Sequence, residues 1–360
     1  MSNLLKVIAA SGAKGVSADI AVVPHEDGGG GVQVFDISDP TNMSVLGTTG
    51  SVAAMTKPFQ LKLDITANRA FVVCEDDSVA VVDISNTSSP SVTGALAQED
   101  SMKYCDIDPT RDLVFGADFK NPGGIRVYDV STPSSPSLSG SFTDSAYNGS
   151  SGIANHRSRD YCFVVDGSSK LFAFNVGNAS SPTLPSGGIL TDSTNLYDAK
   201  AIKLDESNNV AYIAKRNGLT TVNIANEASM SVMDTVADGV SNTDCRDIAI
   251  DLDAGIAFVP TISGNGLMCF DISNPNSLSH ISTFTSSSNF SAPRAVMYDP
   301  VAEVAYCSCW YGNAANKLVA VDCSNTSSMS FLGSVTTGSA PARGALNTGP
   351  REATNGEETS

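Results

Sequence analysis

The sequence predicts an all-β protein, a seven-bladed β-propeller of four-stranded antiparallel blades, and three observations carry that prediction. One hairpin recurs along the chain, as "VFDISDPTNMSVLGT", "VVDISNTSSPSVTGAL", "VYDVSTPSSPSLSGSF", "CFDISNPNSLSHISTF" and "AVDCSNTSSMSFLGSV". Anchored on the polar residue that follows the third strand of each copy (Asp36, Asp83, Asp129, Asn175, Asn223, Asp271 and Asp322), the spacings are 47, 46, 46, 48, 48 and 51. Charged residues make up only 16% of the 360, and the abundant Ser, Thr, Asn and Gly suit short strands joined by many turns. A β-only unit repeated at this period is a propeller blade rather than a helical solenoid.

The fifth copy shows the unit most clearly. It reads "AKAIKLD", turn "ESNN", "VAYIAK", turn "RNG", "LTTVNI", turn "ANEAS" and "MSVMDTV". Four alternating or apolar runs form one antiparallel sheet, whose two faces are buried only by packing against neighbouring sheets around an axis. In the "DIS-N/T-x-S-P" segment the Asp, Ser and Asn side chains bond nearby backbone N–H groups, and Pro pre-sets the turn into the fourth strand. The repeated Asp therefore reads as a turn residue rather than a catalytic one.

The ends of the chain close the ring. "GSAPARGALNTG" partly repeats the start of the seventh copy, "FSAPRAVMYD", whereas the first copy has clear second, third and fourth strands, "ADIAVV", "GVQVFDI" and "MSVLGTT", and no clear first one. Ala342 to Leu346 is expected to supply that innermost strand, so that N- and C-terminal strands share one blade. Leu4 to Ala9, "LLKVIA", competes for the same place. The expected organisation is a propeller over residues 1–346 and a flexible acidic tail over 347–360, where "TGPREATNGEETS" has low-complexity polar character.

With these strands in hand, the pattern "R-x-hydrophobic", turn, "A-Y/F-V/I-A", turn, "L/V-x-V-x-D-I/V-S-N-P/T-S-x-P-x-x-x-G" resembles the LVIVD-repeat family of β-propellers over nearly the whole chain. The resemblance implies a propeller often found in secreted or cell-surface proteins, and it offers no shared catalytic residues to carry over. Copies four and five depart from it with Asn175 and Asn223 in place of Asp.

Charge and cysteine content bound the setting. A net charge of −17 argues against nucleic acid as a partner, because phosphate binding needs a positive footprint. No run approaches the ~18 apolar residues of a membrane span, and no export signal is evident near the first residue. The eight cysteines lie in strand-like runs such as "FVVCED" and "AYCSCW" and read as buried free thiols. The compartment stays open: family and composition favour a cell surface or a virion, whereas the thiols and the absent signal favour the cytoplasm.

No convergent chemistry emerges from the repeat. His25, His156 and His280 occupy different places in different copies, which disfavours a metal centre or a Ser-His-Asp set. "DIDPTRD" and "AIDLDAG" place their Asp residues at the turn after the first strand, without calcium-loop spacing. "HEDGGGG", residues 25–31, precedes a strand rather than a helix and is read as a hairpin connection, not a phosphate loop.

Two sets of residues do stand out. Aligned innermost strands place Lys103, Lys200, Arg246, Arg294 and Arg343 at one rung, with Phe59 and Ser151 in the other two copies. They predict a partial cationic ring at the channel mouth that holds an anion, or else pairs with acids such as Asp198, Asp244 or Asp247 and ties blades together. Phe119, Tyr147, Tyr197, Phe290, Trp310 and Tyr311 lie in Ser/Gly/Asn-rich loops and predict a surface for a protein or glycan partner, unless they tuck against blade rims. The expected function is a non-catalytic interaction or structural module within a larger assembly, without cofactors. The alternative is a propeller enzyme or metal-dependent hydrolase using the channel mouth.

Overall fold

The structure is a computed structural model that describes residues 19–347, apart from 27–30, 51, 54, 76–77, 98–101, 238–243, 287, 311–315 and 338–339. Each copy of the repeat folds into one antiparallel sheet of four strands, giving seven sheets. The only helical segments among the described residues are single 3₁₀ turns at Arg157–Arg159 and Glu227–Ser229. Innermost strands are Pro58–Asp64, Met102–Asp108, Ser150–His156, Ala201–Asp205, Ala249–Asp251 and Pro293–Asp299 in blades 2 to 7.

Blade 1 is assembled from both ends. Ile20–His25, Gly31–Asp36 and Ser44–Thr48 form its outer three strands, and Ala345–Asn347 pairs with the first of them in the register Ile20↔Asn347 and Val22↔Ala345. Just before it, the Ala342 N–H donates to the Pro24 carbonyl at 2.9 Å. The C-terminal segment therefore closes the ring, as its sequence predicts, with the regular strand starting three residues later and reaching Asn347. The competing 4–9 segment and the tail beyond Asn347 lie outside the described residues.

Why the hairpin recurs is visible at its turn. In all seven copies the anchor side chain accepts the backbone N–H two residues on, from Ser38, Ser85, Ser131, Gly177, Ala225, Ser273 and Ser324, at 2.8 to 3.1 Å. The amide oxygens of Asn175 and Asn223 serve as well as the carboxylates do, so their departure from Asp costs the turn nothing. A Cβ on Gly47 would lie 2.4 Å from the Thr87 carbonyl of blade 2, and one on Gly333 would lie 2.5 Å from the Pro40 carbonyl of blade 1. Where the motif ends in glycine, in blades 1, 2, 3 and 7, it lets the outer strand approach the next blade's turn, across the closure as elsewhere.

Seven apolar cores fill the seven interfaces between adjacent blades. The closure interface packs Ala21, Val23 and Phe35 of blade 1 on Met297, Tyr306 and Leu318 of blade 7. All eight cysteines are buried and free, and burial pushes the Cys105 and Cys309 thiols up to about 12, which leaves them unreactive. Asp108 and Asp251 accept turn N–H groups from Thr110 and Ala254, so both Asp-rich stretches are turn caps.

Candidate functional site

Side chains meet the channel mouth from two kinds of position. The first is the predicted rung of the innermost strands. The second is the residue just past each second strand, where Glu26, Glu75, Gly167, Arg216, Ile262 and Trp310 each donate a backbone N–H to the segment leading into an innermost strand; Phe119 follows the second strand of blade 3 at the same place. Except at blade 4, which brings Ser151 and Gly167, neighbouring rungs and strand ends put a cation next to an acid or an aromatic ring.

On one side the two sets interlock. Lys103 Nζ lies 2.7 Å from Glu75 Oε1 of blade 2, and Arg294 Nη1 lies 2.6 Å from Glu26 Oε1 of blade 1. Both cations flank Phe59, at 5.3 and 4.5 Å from its ring centre. Lys103 also sits 4.0 Å from the Phe119 ring and Arg294 4.7 Å from Trp310. Blades 7, 1, 2 and 3 thus present two carboxylates, two cations and three aromatic rings in one sector. Phe59, the apparent gap in the cationic rung, is its centre.

The other side is quieter. Lys200 pairs with Asp198 at 2.5 Å and Arg246 with Asp244 at 2.6 Å, each within its own blade. The expectation that rung cations tie blades together therefore holds for Lys103 and Arg294 and fails for Lys200 and Arg246.

Arg343 leaves the rim altogether. Its guanidinium crosses from blade 1 to donate to the Lys200 carbonyl of blade 5 at 3.2 Å and to the Arg246 carbonyl of blade 6. It lies 3.9 Å from Asp247 Oδ1 and 4.7 Å from the Tyr104 ring of blade 3. At 5% exposure it forms a floor to the mouth. Its place is fixed by its own backbone, which donates to the Phe59 carbonyl and accepts from Leu61 N–H at 3.0 and 3.1 Å.

The aromatic loop set divides. Phe119, Tyr197 and Trp310 are exposed by 47%, 51% and 37%, and Phe119 and Trp310 line the mouth. Tyr147 and Phe290 are corrections: both are fully buried, Tyr147 against Phe172 at 5.2 Å and Phe290 against Phe284 at 5.3 Å, because each fills the rim of a blade interface. Tyr311 lies outside the described residues. His25 ends a strand opposite Gly31 rather than lying in a loop, and His156 is buried between Glu206 at 3.2 Å and Asn209 at 3.2 Å on the opposite face. Among the described residues no three His, Cys, Asp or Glu side chains converge as metal ligands.

Comparison with known proteins fits this geometry. The LVIVD repeat profile matches residues 26–49, 63–97, 114–144, 198–238, 257–286 and 312–337. The chain belongs to the LVIVD repeat family. No match was found among curated proteins. The LVIVD propeller is similar in fold to a periplasmic gluconolactonase from Pseudomonas aeruginosa, with 14% identity, 91% of this chain and 98% of that one covered, and a TM-score of 0.74. A putative 6-phosphogluconolactonase from Bacteroides uniformis gives 12%, 91%, 99% and 0.75. A hypothetical selenium-binding protein from Sulfolobus tokodaii gives 9%, 95%, 95% and 0.72. At these identities the likeness is one of fold. It corrects the expectation of a non-catalytic module to this extent: structures sharing the whole architecture carry lactonase names, so the propeller fold does not by itself argue against catalysis.

The sequence reading missed Glu26, Glu75 and Phe59. The residue after each second strand, aligned across copies like the rung, is the signal that finds the two acids.

Proposed function

We propose that this LVIVD propeller is a hydrolase of small lactones or related oxygen-rich esters, acting in the mouth sector of blades 7, 1, 2 and 3. The observation that carries the reading is the pairing of Glu26 and Glu75, at equivalent places on adjacent blades, with cations that converge on Phe59. The lactonase names among structures of the same fold support the substrate class.

In this reading Glu75, whose side chain is 34% exposed, is the general base. It takes a proton from water as the water oxygen bonds to the ester carbon, and returns that proton to the ring oxygen as the carbon–oxygen bond breaks. The product is an open-chain hydroxy acid. Lys103 and Arg294 offer donors to the oxyanion that develops on the carbonyl. Glu26, only 12% exposed, holds Arg294 in place. Phe119 and Trp310 present exposed apolar faces on which a sugar-like ring rests, the buried Phe59 backs the two cations, and Arg343 closes the site below.

The test is a pH-stat assay of gluconolactone and 6-phosphogluconolactone opening, measured against spontaneous hydrolysis. The reading expects saturable acceleration of at least one of them or of a related aldonolactone. A panel of such lactones opening only at the spontaneous rate overturns it.

A further inference from the structure

Blade 4 departs from the other blades at both positions that meet the mouth. Its rung residue is Ser151 and the residue after its second strand is Gly167, where the other blades carry large side chains. The repeat profile matches end at residue 144 and resume at 198, so copy 4 alone lies outside them. Where a scaffold repeats, specific function is carried by the parts that differ.

The two small residues leave an open shelf. A Cβ on Gly167 would meet a single atom within 4 Å, Ser151 Oγ at 3.2 Å, and the Gly167 N–H donates to the Gly149 carbonyl at 3.2 Å. Gly149 has φ at +69° and lies against blade 3, where a Cβ would come within 2.9 Å of the Phe119 carbonyl. An exposed aromatic residue stands on each side of the shelf, Phe119 of blade 3 and Tyr197 of blade 5. Lys103 covers the Phe119 ring at 4.0 Å and helps to hold it in place. Tyr197 follows Leu196, which is buried in the core between blades 4 and 5, so it stands at the rim of that interface. The exposed amides of Asn121 and Asn148 meet at 3.1 Å beside Phe119. Rings, amides and a hydroxyl surround the shelf, and the neighbouring Lys200 is paired with Asp198. Aromatic faces flanked by uncharged donors and acceptors suit a sugar, whose C–H faces stack on rings and whose hydroxyls bond amides.

We propose that this shelf is a subsite for an uncharged sugar unit carried by the substrate, so that the preferred lactone is that of a disaccharide aldonic acid. The inference rests on the hydrolase reading and shares Phe119 with it. The lactone ring lies on the Glu75 side of Phe119, and the attached sugar extends over Gly167 toward Tyr197. Contacts to such a remote unit raise kcat/KM by holding the reacting ring in place.

Opening of cellobionolactone and of gluconolactone, followed by pH-stat, tests it. The disaccharide lactone should have the higher kcat/KM, by about tenfold or more. Tyr197→Ala and Gly167→Val should each lower that ratio about tenfold, while Tyr197→Phe, which keeps the ring, should preserve it. A ratio near one in the unaltered protein overturns the subsite and leaves the hydrolase reading standing, as does an undiminished ratio in folded Tyr197→Ala. If neither lactone opens faster than it does spontaneously, calorimetric titration with cellobiose, which has no lactone, decides separately. Saturable binding that Tyr197→Ala weakens then keeps the sugar subsite without the hydrolase, and no binding overturns both.

Discussion

The guanidinium of Arg343 lies 4.7 Å from the centre of the Tyr104 ring, so a residue of the last segment of the chain packs on blade 3 from across the channel. The same segment completes blade 1, and ring closure and the floor of the mouth are therefore one structural event. Arg343→Met keeps the length of the side chain and removes its donors. Loss of the bonds to the Lys200 and Arg246 carbonyls and of the ring contact should cost about 2 to 4 kcal/mol, read by urea unfolding.

Truncation separates the two roles of that segment. A chain ending at Ala340 loses both the inner strand of blade 1 and Arg343, exposing a sheet edge and the Ile20–Val22 backbone. It should be less stable than a chain ending at Asn347 by ~4 kcal/mol or more. Equal unfolding midpoints would mean that another segment completes blade 1.

The repeated turn makes a graded prediction. Asp83 accepts the Ser85 N–H at 2.8 Å, and Asn does the same job in blades 4 and 5. Asp83→Asn should therefore be within about 0.5 kcal/mol of the parent, and Asp83→Ala should cost about 1 kcal/mol. Thermal unfolding of the two variants side by side decides it.

Asp118 gives the pH dependence. Burial pushes its carboxyl up to about 7, whereas Arg126 Nε, 2.9 Å from Oδ1, opposes this. A guanidinium in contact and sheltered by the same burial prevails, so the pair stays ionised. In Arg126→Met the opposing groups that remain are Lys120 and the Gly124 N–H, and burial outweighs them. A raised carboxyl binds its proton more tightly folded than unfolded, so the variant loses stability as pH rises from the unfolded value near 4 through about 7. Its deficit against the parent should be small near pH 4 and reach about 3 to 5 kcal/mol by pH 8. A deficit that does not change with pH would show that Asp118 does not titrate in that range.

Much of this was legible in the chain. The period, the Asx-turn motif and the partial repeat at "APARGAL" predict seven blades and their closure because each depends on local backbone chemistry. The ion pairs of the site join residues of different copies, as in Arg294 with Glu26 and Lys103 with Glu75, and no local pattern encodes which rung side chain turns inward. Phe59 looked like an omission from a cationic ring because alignment compares residue types, whereas its ring is where two cations meet. Tyr147 and Phe290 sit in loop-like sequence yet are buried, since polar neighbours in the chain do not report which way one side chain turns.

If lactone hydrolysis belongs to the sector of blades 7, 1, 2 and 3, as proposed, the lactone-opening rates of two variants decide it. Glu75→Gln should lower kcat about 100-fold or more with little change in KM, as loss of a general base does, while Arg246→Gln, on the quiet side of the mouth, should stay within a few-fold of the parent. Full activity in Glu75→Gln, or a collapse of kcat in Arg246→Gln alone, would contradict the assignment.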